Sequence, residues 1–157
     1  MPSSKAPRKK FNPTHRRIEG GSLPITMIRN TELELLVMKL RPHLFLDMFH
    51  RELGTLGALK AIEFRIRMLG NLTPHFDEAD VVEDLVRSSL EHLEHVGRNF
   101  LQTGYWRIHD AVIGFLSDVL DLADDADDIC TRREMLNAAT AALDAVESNP
   151  INRMIEV

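Results

Sequence analysis

"DEADVVEDLVRSSLEHLEHVGRNFLQTG", residues 77–104, settles the class of fold. Val82, Leu85, Val86, Leu90, Leu93, Val96 and Phe100 recur at spacings of three and four, so they share one face of a helix. The intervening positions are mostly charged or polar, as expected of a helix with one face on a core. Gly97 interrupts the stripe, and Gly104 suits the left-handed residue that closes a helix.

The same pattern extends in both directions. Upstream, Asn30 or Thr31 can cap a helix carrying Leu33, Leu36, Val37 and Leu40, which Pro42 stops or kinks. Phe45, Met48, Phe49 and Leu53 predict a second helix, and Leu59, Ile62, Ile66 and Leu69 a third, followed by the loop "GNLTPHF". Downstream, Ile108, Val112, Phe115, Leu116 and Val119 mark another. Met135, Ala139, Ala142, Leu143 and Val146 mark the helix from Arg132 to about Ser148, with Pro150 just beyond it. No alternating apolar pattern competes with these stripes. The reading is an all-α, single-domain bundle of five or six helices: an extended basic arm over 1–29, the bundle over 30–149 and a short apolar tail over 150–157. In that tail Ile151, Met154 and Ile155 can be buried internally or across a homodimer interface.

Composition narrows the function classes. The chain has 157 residues, 44% hydrophobic and 27% charged, which fits one globular domain. Its apolar runs are too short to span a bilayer, and the start lacks the apolar stretch of a secretory signal. With Cys130 as the single cysteine, an internal disulfide and a cysteine-rich zinc site are excluded, and the cytoplasm is the expected compartment.

Charge is unevenly placed. Residues 1–29 carry seven of the 19 Lys/Arg and one of the 24 Asp/Glu, leaving twelve basic and 23 acidic residues in the rest. Within "KAPRKKFNPTHRR", residues 5–17, lie Lys5, Arg8, Lys9, Lys10, Arg16 and Arg17, with Phe11 among them. Cationic side chains neutralise phosphates and an aromatic ring stacks on an unpaired base, so these seven are the candidate contacts to nucleic acid or another acidic partner.

The acidic counterpart is "DLADDADDICTRREM", residues 121–135. Asp124, Asp125 and Asp128 match the D-D-x-x-D pattern with which isoprenoid synthases hold magnesium diphosphate, but no second metal-binding motif accompanies them. "TRRE" reads instead as a capping box, Thr131 with Glu134. The aspartates before it read as a solvated helix face. That face, with Asp118, Asp121, Asp124, Asp125, Asp127 and Asp128, is a candidate surface for a basic partner. The alternative is a small metal-dependent enzyme using this segment.

Other constellations carry less. His92 and His95 in "EHLEH" lack the H-E-x-x-H spacing, and His95 and Glu91 should point away from the core. His43, Asp47 and His50 share a helical face expected to turn toward solvent or a partner. His109 beside Asp110 has no nucleophile, and Ser88 and Ser89 sit mid-helix. Tyr105 and Trp106 close one end of the core or anchor an interface. No catalytic residue, metal ligand or cofactor is assigned.

"RKKFNP" before the first helix, the helix from Asn30 to Arg41 and Pro42, the "TGxW"-like turn of Thr103, Gly104 and Trp106, and the "TRxE"-like cap together resemble the small, all-helical, uncharacterised proteins encoded by proteobacterial phages and plasmids. That resemblance implies a mobile-element protein in a bacterial cytoplasm and brings no catalytic residues with it. The expected function is a non-catalytic regulator or inhibitor that binds nucleic acid or a nucleoprotein complex through its arm. The alternative is an acidic adaptor or inhibitor that binds a host protein by mimicking nucleic acid.

Overall fold

The structure, a computed structural model, describes residues 39–157; the basic arm and the first apolar stripe through Val37 lie outside them. The described residues are all-α. Helix α1 covers residues 39–50, α2 Leu56–Asn71, α3 Ala79–Thr103, α4 Asp110–Ile129, α5 Arg132–Ser148 and α6 Pro150–Glu156, with a 3-10 turn at Thr73–His75 between α2 and α3.

Helix α2 occupies the centre. It packs against α3, α4, α5 and α6, and buries Ala58, Leu59, Ile62, Ile66, Met68 and Leu69. A helix contacted from so many sides also buries polar positions, here Glu63 and Arg65. Those two must find partners in the interior, because an unpaired charge out of water is costly. The apolar stripe of α3 appears as expected, with Val82, Val86, Leu93 and Val96 buried. Helix α4 adds Leu116, Val119, Leu120, Ala123 and Ala126, and α5 adds Met135, Ala138, Ala142 and Val146.

The helix ends follow local chemistry. Thr55 caps α2 by accepting the Ala58 N–H at 3.1 Å. Gly104 closes α3 with φ 75°, where a β-carbon would be strained. The capping box at α5 forms both ways. Glu134 N–H donates to Thr131 Oγ1 at 3.3 Å, and Thr131 N–H donates to Glu134 Oε2 at 2.6 Å. The bond from the Thr131 N–H holds the Glu134 carboxyl below its ordinary range, with the Thr131 side chain adding to it. This contribution to stability is therefore present above the ordinary glutamate range and is lost as pH falls through the lowered value. Asn149 caps α6 through Oδ1 on the Ile151 N–H, with Pro150 in the first turn, where its missing N–H costs nothing.

Four expectations change. The chain remains helical through Pro42, so proline does not stop the helix there. Leu40 and Leu53 are exposed, while Leu46 joins Phe49 in the core. On α5, Ala138 is buried and Leu143 faces out, because α5 meets α2 one position round from the stripe read in sequence. The tail is the helix α6; Ile151 is buried inside the bundle, one of the two placements expected for it, while Met154 is exposed.

Gly97 lets α6 approach. A β-carbon there would lie 2.7 Å from Ile151 Cγ2, 3.5 Å from Ile155 Cδ1 and 3.8 Å from Leu59 Cδ2. Gly97→Val is expected to lose about 2 kcal/mol in urea unfolding, since overpacking outweighs the gain in helix propensity. A variant as stable as the parent would mean that α6 moves aside without loss.

Candidate functional site

The acidic run does not form one solvated face. Helix α4 continues through it to Ile129, and the period of 3.6 divides the aspartates between two sides. Asp118, Asp121, Asp125 and Asp128 are exposed. Asp124 and Asp127 turn inward onto Arg65 of α2, whose side chain is 1% exposed. Asp127 accepts both ends of the guanidinium, from Nη1 at 3.1 Å and Nη2 at 2.5 Å. Nη2 also donates to Asp124 Oδ1 at 3.0 Å and to the Ala123 carbonyl at 3.1 Å. Arg65 Nε is buried without a hydrogen-bond partner among the described residues.

This arrangement explains how acidic residues can crowd the C-terminal end of α4, where the helix dipole disfavours negative charge. A buried cation holds them. The other carboxylate oxygen of Asp124, Oδ2, meets His43 Nε2 of α1 at 2.9 Å, and Asp121 approaches the same nitrogen at 3.8 Å. Lys39 reaches Asp128 at 3.6 Å. One carboxylate thus ties α1, α2 and α4 together.

The His43, Asp47 and His50 face turns outward beside α4, as expected, with Asp47 and His50 exposed and His43 partly covered. With Leu46, Ile113 and Ser117 it lines an open groove of about 280 Å³. The three side chains do not converge on one point: His43 pairs with Asp124, His50 with Asp110 at 3.3 Å, and Asp47 with Arg51 at 2.9 Å. His43, Asp121 and Asp124 could gather around a cation. Arg65 already supplies positive charge to Asp124 there, which weighs against a second one.

The remaining candidates are placed as follows. Trp106 stacks on Phe100 at 4.0 Å between ring centres and meets Phe49 edge-on at 5.9 Å, while Tyr105 is 76% exposed. His95 and Glu91 point outward, and His92 lies edge-on to Phe115. Ser89 is buried and donates to the Leu85 carbonyl; Ser88 is exposed. Lys5, Arg8, Lys9, Lys10, Phe11, Arg16 and Arg17 lie outside the described residues.

Sequence reading missed a second buried network. Glu63, on α2, accepts from Arg67 Nε and Asn149 Nδ2, both at 2.8 Å, and from Asn152 Nδ2 at 2.7 Å. It also missed a group made of His75, Cys130 and Glu134, whose donor atoms all lie within 4.8 Å of one another. Nothing in their spacing along the chain joins these residues. Burial, with Glu134 and Asp127 nearby, pushes the Cys130 thiol above its ordinary value. No helix among the described residues is long and apolar enough to cross a membrane. No family model, curated protein or solved structure matches the chain.

Proposed function

We propose that this chain is a non-catalytic helical interaction protein of phage or mobile-element type, acting in a bacterial cytoplasm. It binds nucleic acid or a nucleoprotein complex through its basic arm, as a regulator or inhibitor. The observation that carries the reading is the segregation of charge, with seven basic residues against one acidic in residues 1–29 and an acidic excess in the rest. Lys5, Arg8, Lys9, Lys10, Arg16 and Arg17 contact phosphates and Phe11 stacks on a base. The exposed aspartates of α4 repel a polyanion, which leaves the arm as the gripping element. The non-catalytic part draws support from Asp124, the first residue of the diphosphate-like pattern, which is held by Arg65 and His43.

The test is fluorescence anisotropy with labelled single- and double-stranded DNA and RNA over a salt series. It compares the full chain with a variant carrying glutamine at the six Lys/Arg positions. Six phosphate contacts on a duplex should weaken binding about 10³-fold between 50 and 200 mM salt, and the variant should bind weakly with little salt dependence. Equal binding by both proteins, or by neither, removes the reading.

A second reading rests on Asp118, Asp121, Asp125 and Asp128, which follow one another at spacings of three and four and form one exposed carboxylate row on α4. Such a row suits an adaptor or inhibitor that enters a basic cleft of a host protein in place of nucleic acid. Under it, asparagine at these four positions abolishes partner binding and neutralising the arm does not.

A further inference from the structure

We propose that His75, Cys130 and Glu134 form a binding site for a borderline-soft divalent cation, zinc above all, at the junction of α4 and α5. The three donors come from three separate elements: His75 from the end of the 3-10 turn, Cys130 from the residue closing α4, and Glu134 from the first turn of α5. Imidazole nitrogen, thiolate sulfur and carboxylate oxygen are the ligand types that zinc takes at bond lengths of about 2.0–2.3 Å, which puts neighbouring donors roughly 3.3–3.8 Å apart. His75 Nε2 and Glu134 Oε1 already stand 3.8 Å apart. The widest separation in the group is within 4.8 Å, so a side-chain rotation of about 1 Å brings the sulfur into place.

The surroundings orient the donors. Glu134 Oε2 accepts the Thr131 N–H, which fixes the carboxylate and aims Oε1 at the imidazole. An outer hydrogen bond of this kind is what positions a metal-ligating carboxylate. Cys130 is the residue that closes α4, at the negative end of its helix dipole, and the Glu134 charge offsets the positive end of α5. All three side chains retain access to solvent or are only partly covered, so a cation can enter. On binding, Cys130 gives its thiol proton to solvent and coordinates as thiolate. Three protein ligands leave the fourth tetrahedral position to water or to a donor from a partner. The site is independent of the arm and of the α4 carboxylate row, so it stands or falls separately from the proposed function.

The experiment uses the full chain, reduced and stripped with a chelator, titrated with cobalt(II) as the spectroscopic probe and with zinc in competition. The expected result is a thiolate-to-cobalt charge-transfer band that saturates near one equivalent and is bleached by zinc, with zinc raising the thermal midpoint. Cys130→Ser removes the band. His75→Gln, on an exposed turn where folding is not at risk, weakens binding beyond the roughly 10–100-fold that losing an outer-shell partner costs. No sulfur-to-metal band at one equivalent overturns the proposal. So does zinc binding that Cys130→Ser and His75→Gln leave unchanged.

Discussion

Replacing Arg65 with methionine is expected to lower the stability of the folded body by about 3–5 kcal/mol. The guanidinium is buried and carries both oxygens of Asp127, one oxygen of Asp124 and the Ala123 carbonyl. Methionine fills much of the same volume, so the loss is electrostatic more than steric. Asp127, whose side chain is 3% exposed, would remain as a buried carboxylate without a cation, at the end of α4 where the helix dipole already opposes it. Against a total stability of about 5–15 kcal/mol, that loss should lower the thermal midpoint by on the order of 10 °C or more. Pairing Arg65→Met with Asp127→Leu removes both charges and should recover most of the loss, because apolar replacement of a whole buried pair is often neutral or stabilising. Strictly additive costs in this double-mutant cycle would show that the two groups do not depend on each other.

Glu63→Ala is expected to cost about 3 kcal/mol and to loosen α6 first. Its carboxylate is the shared acceptor for Asn149 and Asn152, the residue that caps α6 and the residue buried beneath it. Hydrogen bonds to a charged group contribute about 1.5–3 kcal/mol each, and truncation adds a cavity. Asn152 Nδ2 keeps the Val146 carbonyl at 3.2 Å, so the loss stops short of the full sum. Glu63→Gln preserves shape but points an amide N–H₂ at donors, and most of the destabilisation should remain. Hydrogen exchange locates the effect: protection should fall over residues 149–156 before it falls in α2 or α3. If α6 exchanges as in the parent, then Ile151 against Gly97 and the Lys60–Glu156 ion pair are sufficient to hold it.

The helices themselves were legible because each announces its inward face locally. The stripe of α3, the glycine that closes it and the Thr131–Glu134 box depend on residues no more than a few positions apart. Errors fell where a stripe is wide or where a neighbour decides the angle. Ala138 and Ala139 are equally apolar, and only the docking of α5 on α2 chooses between them. Pro42 was read as a stop or a kink, and the helical residues on both sides of it remove the stop. The acidic run was the largest misreading. Its spacing states that Asp124 and Asp127 share a side of α4, but not that an arginine 59 and 62 residues earlier lies across from them.

By itself, then, the sequence determined the all-helical class, the caps at Gly104 and Thr131, and the uneven placing of charge along the chain. These follow from side-chain periodicity, capping and charge, properties that operate over one or two turns. Only the tertiary structure decided that α2 is the central helix. With neighbours on several sides, its Glu63 and Arg65 cannot remain surface charges. The cost of desolvating them selects their partners from α4 and from the α5–α6 junction, 58–89 residues away along the chain. The same packing brought His75, Cys130 and Glu134 together. Charges on one helix are ordinary in a sequence; burial on every side gives them a role.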